Sequence, residues 1–271
     1  MITVATVNRK GGVGKSVTSS AIFSWCMRFL SGRSSKKFSK KSSMKKALLI
    51  DLDSQCNVSY AFGIDVMASP DILTIANVFA GECSLNEAII EKSKCGFIVP
   101  ANENLVDYDN GTEAFKVDLK SALESVSKEY DFCIIDAPPS LGRLTISALL
   151  ASDYVIIPAQ ADIYSVQGLN SMVKILQSVQ QHNKIKVAGI LLTRNNERLL
   201  LTKAITDLIE DIAKRLNTRI FKTSIREGVV VREASAQQVG LFDYDVNLKS
   251  NVAKDYDAFI RELLEVIEND K

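Results

Sequence analysis

ITVATVNRKGGVGKS, residues 2–16, is the most informative segment of this 271-residue chain. Residues 2–7 form a short apolar run rich in β-branched side chains, which predicts a buried strand. Residues 10–16 contain three glycines, two lysines and a serine. A glycine-rich turn between a strand and a helix can direct its backbone N–H groups at phosphate oxygens. We therefore predict a phosphate-binding loop at this position.

The positions of this loop have separate predicted roles. We expect Lys15 to reach the β- and γ-phosphates of a nucleotide and Ser16 to be a ligand of Mg²⁺. The positive end of the following helix adds to the attraction for phosphate. Thr18, one turn into that helix, is expected to contact the α-phosphate. The predicted nucleotide-binding residues are Lys10, Gly11, Gly12, Val13, Gly14, Lys15, Ser16, Val17 and Thr18.

The loop departs from the usual pattern G-x-x-x-x-G-K-[ST], because Arg9 occupies the position of the first glycine. A second lysine, Lys10, follows directly. The alternative interpretation is a glycine-rich turn that happens to end in Lys-Ser. The preceding strand, the glycines and the following amphipathic helix together favour the phosphate loop.

Two further segments end a predicted strand in aspartate. In residues 48–57, Asp51 and Asp53 are spaced i, i+2, so both side chains leave the strand end in the same direction. In residues 132–140, an apolar run ends at Asp136. Ligands of α/β sheets bind at the carboxyl ends of the strands. Either segment alone could hold only a strand-end cap, but together with the loop they indicate a nucleotide and Mg²⁺ site.

Strand and helix patterns alternate along the chain, which predicts an α/β fold with a doubly wound, mostly parallel sheet flanked by helices. Strands are predicted near residues 2–7, 47–51, 96–100, 132–136, 154–158, 187–193 and 219–225. Helices are predicted near residues 15–30, 113–128, 142–151, 165–181, 199–216 and 251–268. We expect a single domain over residues 1–271.

One basic segment interrupts this pattern. Residues 31–46, SGRSSKKFSKKSSMKK, contain seven Lys or Arg and six Ser with no acid, although the whole chain has a net charge of only +1. This composition predicts a loop insertion that cannot form a core. It is either a solvated insertion or a contact to a phosphate backbone, and the sequence favours neither.

Cysteine and histidine usage excludes several classes of site. The five cysteines include no C-x-x-C pair, so we expect reduced thiols in a cytoplasmic protein. The single histidine, His182, excludes Ser-His-Asp chemistry and a His-rich metal site. We see no signal peptide and no apolar run long enough to span a bilayer.

The segment Lys-Gly-Gly-x-Gly-Lys-Ser resembles the deviant Walker A motif of the ParA/MinD superfamily, in particular the ParA partition ATPases. The resemblance implies a P-loop NTPase in which Lys10 crosses a dimer interface to the nucleotide of the other subunit. It also implies that Asp53 orients the attacking water, that Asp51 supports the Mg²⁺ shell and that Asp136 holds Mg²⁺ through water. The catalytic set is then Lys10, Lys15 and Asp53.

The similarity to ParA proteins continues through residues 159–169 and 223–234. In the family the second stretch holds a DNA-contacting arginine, a role that the resemblance assigns to Arg232 and also to Arg198 and Arg226. Ordinary surface charge is the alternative, since residues 186–271 contain 14 basic and 14 acidic side chains. Contacts to phosphates alone would make DNA binding non-specific and sensitive to salt.

The resemblance implies a cytoplasmic, nucleoid-associated ATPase with weak intrinsic activity, using ATP and Mg²⁺. Its ATP-bound sandwich dimer would bind non-specific DNA, and a ParB-like partner would stimulate hydrolysis. The alternatives are a MinD-like membrane ATPase, an ATPase that positions a protein cargo, and a metabolic relative. The acidic end of the chain speaks against membrane binding.

Overall fold

The structure is a computed structural model that describes residues 1–29, 45–195 and 200–270, without the side chains of residues 200–203. The basic insertion at 31–46 is therefore described only at Lys45 and Lys46. The predicted DNA contact Arg198 also lies outside the described residues.

A seven-stranded sheet with strand order β3-β4-β2-β5-β1-β6-β7 forms the centre of the described part of the chain. Only the pairing of β3 with β4 is antiparallel. The strands are β1 (Ile2–Thr6), β2 (Ala47–Asp51), β3 (Ile90–Ser93), β4 (Gly96–Val99), β5 (Phe132–Asp136), β6 (Tyr154–Ala159) and β7 (Lys186–Leu192).

Helices cover both faces of the sheet. They are α1 (Lys15–Phe29), α2 (Asn57–Ala61), α3 (Ile75–Phe79), α4 (Leu105–Asn110), α5 (Leu119–Val126), α6 (Arg143–Leu150), α7 (Ile163–Gln180), α8 (Leu200–Arg215), α9 (Val230–Ala236), α10 (Leu241–Tyr244) and α11 (Asn251–Asn269). None of the described helices is both long and apolar enough to span a membrane.

The central strands contribute apolar side chains to both faces of the sheet, because successive side chains along a strand point to opposite faces. Two apolar cores result. One face packs against α1 and α11, and the other packs against α5, α6, α7 and α8. Residues of the first face include Val4, Leu49, Ile134 and Ile156, and those of the second include Ala5, Ile50, Ile135 and Ile157. The predicted doubly wound, mostly parallel α/β fold is confirmed.

The strand predicted near 219–225 is wrong. In this segment only two isolated bridges are formed among the described residues: Ile220 pairs with Ile190 of β7, and Ile225 pairs with Thr193, the residue that follows β7. Between these bridges, the backbone N–H groups of Lys222 and Thr223 donate to the Glu262 carboxylate on α11, at 2.8 and 3.1 Å. Because the carboxylate takes these donors, the segment cannot continue a ladder along β7.

One helix boundary and one short strand also differ from the prediction. The helix predicted from residue 113 begins instead at Leu119, because Asp118 caps it by accepting the Ser121 N–H at 2.9 Å. The short strand β3 was not predicted, since its sequence IEKS is largely polar and half of it is exposed. Such a strand at the edge of a sheet carries no clear apolar alternation.

Candidate nucleotide-binding site

The predicted phosphate loop lies between β1 and α1. Gly12 and Gly14 have φ angles of 75° and 88°, a left-handed conformation that favours glycine. Asn8 supports the loop, because its side chain donates to the Pro158 carbonyl at 2.7 Å and accepts the Lys10 N–H at 3.0 Å. On the far side, the Thr193 hydroxyl donates to the Val13 carbonyl at 2.8 Å. The loop is therefore held in shape by the protein itself.

A cavity of about 610 Å³ opens directly over this loop. Gly11 to Val17 and Asp53 form its floor, and segments from α2, α9 and the region around Ile225 form its walls. Lys15 is buried and donates from Nζ to the Lys10 carbonyl at 3.2 Å. Burial lowers the pKa of Lys15, and the nearby charges of Asp136 and Asp53 partly oppose that effect. A buried ammonium group whose acceptor among the described residues is a neutral carbonyl is suited to bind a phosphate anion.

Asp136 is fully buried at the end of β5. Its Oδ1 accepts hydrogen bonds from Ser19 at 2.8 Å and Thr6 at 3.2 Å, whereas Oδ2 has no hydrogen-bond partner among the described residues. Burial raises the pKa of Asp136 to about 6, although the nearby hydroxyls of Ser16 and Ser19 and the charge of Lys15 act in the opposite direction. A buried carboxylate oxygen without a partner, beside a serine hydroxyl that lines the cavity, fits Mg²⁺.

Asp51 and Asp53 have different surroundings. Asp51 is fully buried, and its oxygens accept the Asp53 N–H at 3.1 Å and the N–H and hydroxyl of Ser59 at 2.9 and 2.7 Å. Burial and the neighbouring Asp136 raise the pKa of Asp51 to about 7. Asp53 instead lines the cavity and accepts the Gln55 N–H at 3.0 Å. Asp51 therefore holds the turn that presents Asp53.

The expectation for Thr18 needs correction. Its side chain is fully buried, and its hydroxyl lies 3.4 Å from the Tyr256 hydroxyl on α11. The cavity is lined by Val17, which precedes Thr18 on α1. Because consecutive helical residues point about 100° apart, Thr18 faces the core and is not placed to contact a phosphate.

Lys10 does not line the cavity with the rest of the loop. Its Nζ lies 2.6 Å from Asp162 Oδ2, 3.3 Å from Gln160 Oε1 and 3.5 Å from the Ser165 hydroxyl. Gln160 and Asp162 belong to the segment that joins β6 to α7 in the same chain, and Ser165 lies in the first turn of α7. The role of Lys10 across a dimer interface stays a prediction.

Two of the predicted DNA contacts, Arg226 and Arg232, line the cavity. Arg226 lines the cavity and forms a two-pronged ion pair with Asp255, with nitrogen to oxygen distances of 2.6 and 2.9 Å. Arg232 lines the cavity mouth and is exposed on α9. The assignment of both arginines to DNA stays a prediction.

Sequence reasoning missed several residues of this site. Thr193 bonds the loop, and Gln160 Nε2 donates to the Gly12 carbonyl at 3.2 Å. Thr193 follows the buried run of β7, just as Asp136 ends β5, so its place at a strand end was a usable signal. Gln160 lies in the stretch 159–169 that resembles ParA proteins, but the resemblance assigned it no role.

Comparison with known proteins gives consistent matches. A family model described as an AAA domain matches residues 1–188. The sporulation initiation inhibitor protein Soj of Bacillus subtilis is 31% identical over 249 residues, covering 89% of this chain and 90% of that protein. The chromosome-partitioning ATPase Soj of Treponema pallidum is 30% identical over 272 residues, covering 97% and 96%. Among solved structures, apo McdA of Cyanothece has a TM-score of 0.80 at 23% identity, covering 97% of this chain and 99% of that chain, which shows a common fold.

Proposed function

The chain belongs to the ParA-type partition ATPases, and from this premise we propose that it uses ATP hydrolysis to segregate DNA. In this proposal an ATP-bound dimer binds non-specific DNA in the nucleoid. A ParB-like centromere-binding partner then stimulates hydrolysis and releases the dimer. The proposal extends to residues 1–271 as a single ATPase domain.

The observation that carries the proposal is the meeting of Lys15, Asp53 and the glycine loop in one cavity at the carboxyl ends of the strands. The loop N–H groups would bind phosphate oxygens, and the Lys15 ammonium would stabilise charge on the γ-phosphate. The Asp53 carboxylate would accept a hydrogen bond from water and orient its oxygen toward the γ-phosphorus. The water oxygen would form a bond to the γ-phosphorus as the bond from that phosphorus to the ADP oxygen breaks, and a water proton would pass to the phosphate or to solvent, giving ADP and phosphate.

Ser16 would bind Mg²⁺ directly, and Asp136 would hold it through water. When bound, Mg²⁺ would neutralise phosphate charge and orient the triphosphate. Asp51 would act behind these residues by fixing the turn that carries Asp53.

We expect slow hydrolysis by the isolated protein. Arg9 is the arginine nearest to the loop in sequence, and its guanidinium donates to the Ser171 hydroxyl on α7 at 3.3 Å. It is therefore not directed at the γ-phosphate, where an arginine accelerates phosphoryl transfer. A partner protein would have to complete the site or reposition its residues.

The arrangement of α11 favours DNA over a lipid surface as the target. A membrane-binding helix needs a free apolar face. In α11 that face is buried against the sheet, through Val252, Tyr256, Phe259, Leu263 and Ile267.

The proposal is tested with the Asp53→Ala variant by size-exclusion chromatography with Mg-ATP or Mg-ADP, followed by binding to random duplex DNA. We expect a dimer with ATP only, and DNA binding by that dimer only. Lys15→Ala is the matched control, which should bind no ATP and stay monomeric. An Asp53→Ala protein that stays monomeric with saturating ATP would contradict the proposal.

A further inference from the structure

The side chain of Lys10 is fully engaged inside its own protomer. Its ammonium group has three donors, and three acceptors lie within 3.5 Å: Asp162 Oδ2, Gln160 Oε1 and the Ser165 hydroxyl. The contact to Asp162 is the shortest, at 2.6 Å. The side chains of Lys10 and Asp162 are 26% and 34% exposed, so the pair is only partly screened by water.

Asp162 is held in place independently of Lys10. It is the N-cap of α7, and its Oδ1 accepts the Ser165 N–H at 2.8 Å. This bond turns Oδ2 toward Lys10. Burial acts to raise the pKa of Asp162, but hydrogen bonds from Lys10 and Ser165 lower it below its usual range, so the carboxylate is charged at neutral pH. The helix therefore presents a fixed negative charge to Lys10.

We infer that Asp162 is the resting counter-charge of Lys10, and that this ion pair must open before Lys10 can bind the nucleotide of a second copy of the chain. This inference rests on the proposed function. An ammonium group that touches its own Asp162 cannot at the same time reach a phosphate in another protomer. Each dimer must therefore exchange two Lys10–Asp162 pairs for two lysine–phosphate contacts.

This exchange would make dimerisation depend on the charge of the bound nucleotide. The phosphates of the partner must attract Lys10 more strongly than the Asp162 carboxylate does. A triphosphate carries more charge within reach than a diphosphate, so only the triphosphate compensates for the lost ion pair. Asp162 would thus be a positioning residue that sets the threshold for dimerisation.

Asp162→Asn tests the inference, because asparagine is about as good an N-cap as aspartate but carries no charge. The matched control is Asp118→Asn, since Asp118 caps α5 by accepting the Ser121 N–H at 2.9 Å and is not in contact with Lys10. Thermal melts of both variants report whether the caps are retained. Asp162→Ser, another capping residue, serves as a second variant.

The first measurement is the dimer dissociation constant with Mg-ATP, by analytical ultracentrifugation in the Asp53→Ala background. We expect Asp162→Asn to lower it by on the order of tenfold, because a partly exposed ion pair is worth up to about fivefold and two such pairs must open for each dimer that forms. Asp118→Asn should leave it unchanged. An unchanged or raised constant for Asp162→Asn would overturn the inference.

The second measurement needs no dimer. The acylation rate of the Lys10 amine by an N-hydroxysuccinimide ester is followed by mass spectrometry on nucleotide-free protein. We expect Asp162→Asn to raise this rate several-fold and Asp118→Asn to leave it unchanged, and equal rates would overturn the inference. If the Asp53→Ala parent never dimerises, the proposed function fails, while the labelling rates still decide whether Asp162 restrains Lys10.

Discussion

At the scale of single residues, Ser16 and Thr18 show how two similar hydroxyls on one helix receive different surroundings. Ser16 lines the cavity and lies beside Asp136. Thr18 is buried and contacts the Tyr256 hydroxyl at 3.4 Å. A Mg²⁺ ligand must face the nucleotide, whereas a buried hydroxyl needs a partner in the core. The two residues should therefore respond differently to loss of the hydroxyl.

We expect Ser16→Ala to weaken Mg-ATP binding at least about tenfold, because a metal ligand is lost, while the fold is unchanged. Thr18→Val should leave ATP affinity within about twofold but lower the free energy of unfolding by about 1 kcal/mol, since the Tyr256 hydroxyl loses its partner. Titration calorimetry and urea unfolding measure the two effects. A large loss of ATP affinity in Thr18→Val would restore this residue to the nucleotide site.

At the scale of elements, the segment 219–225 forms part of the cavity wall without being a strand. It ends at Ile225, and both Ile225 and the next residue, Arg226, line the cavity. Glu262 on α11 fixes its middle by accepting two backbone N–H groups. The last helix of the fold therefore positions one wall of the nucleotide site through hydrogen bonds to the main chain.

Glu262→Ala should lower the free energy of unfolding by about 1–2 kcal/mol, because two charge-assisted hydrogen bonds to the main chain are lost. It should also weaken ATP binding, since the cavity wall at Ile225 and Arg226 loses its support. Glu265→Ala, an exposed glutamate on the same helix, is the matched control and should change neither quantity. Thermal melts and ATP titrations provide both values, and similar results for the two variants would exclude this role.

This segment also shows what a sequence can and cannot predict. β1, the glycine loop and α1 were predictable from neighbouring residues alone. An apolar run determines the strand, and glycines allow the backbone conformation of the loop. Asp136 was predictable because it directly ends a buried strand. The absence of a strand at 219–225 was not predictable, since it depends on hydrogen bonds to Glu262, which is distant in sequence. The same holds for Asp162, whose contact with Lys10 spans 152 positions.

At the scale of the whole molecule, the net charge is close to zero, and basic residues are concentrated in the segment 31–46. The chain has 33 basic and 32 acidic residues, so net charge gives little attraction for DNA. Subtracting the seven basic residues of 31–46 leaves 26 basic against 32 acidic residues elsewhere. DNA binding must then depend on a few defined contacts, and two copies in one dimer would double their number.

This dependence gives a salt prediction for the ATP-bound Asp53→Ala dimer on random duplex DNA. The logarithm of the binding constant should fall linearly with the logarithm of salt concentration, by about 0.9 for each phosphate contacted. Arg232→Glu should weaken binding and reduce that slope by about 2, because each protomer loses one phosphate contact. Dimerisation should be unchanged, which ultracentrifugation checks. Lys186→Glu is a control on β7, where the lysine pairs with Asp270 at 2.6 Å. If the two variants have the same slope as the parent, Arg232 does not contact DNA, and the basic residues of 31–46 become the next candidates.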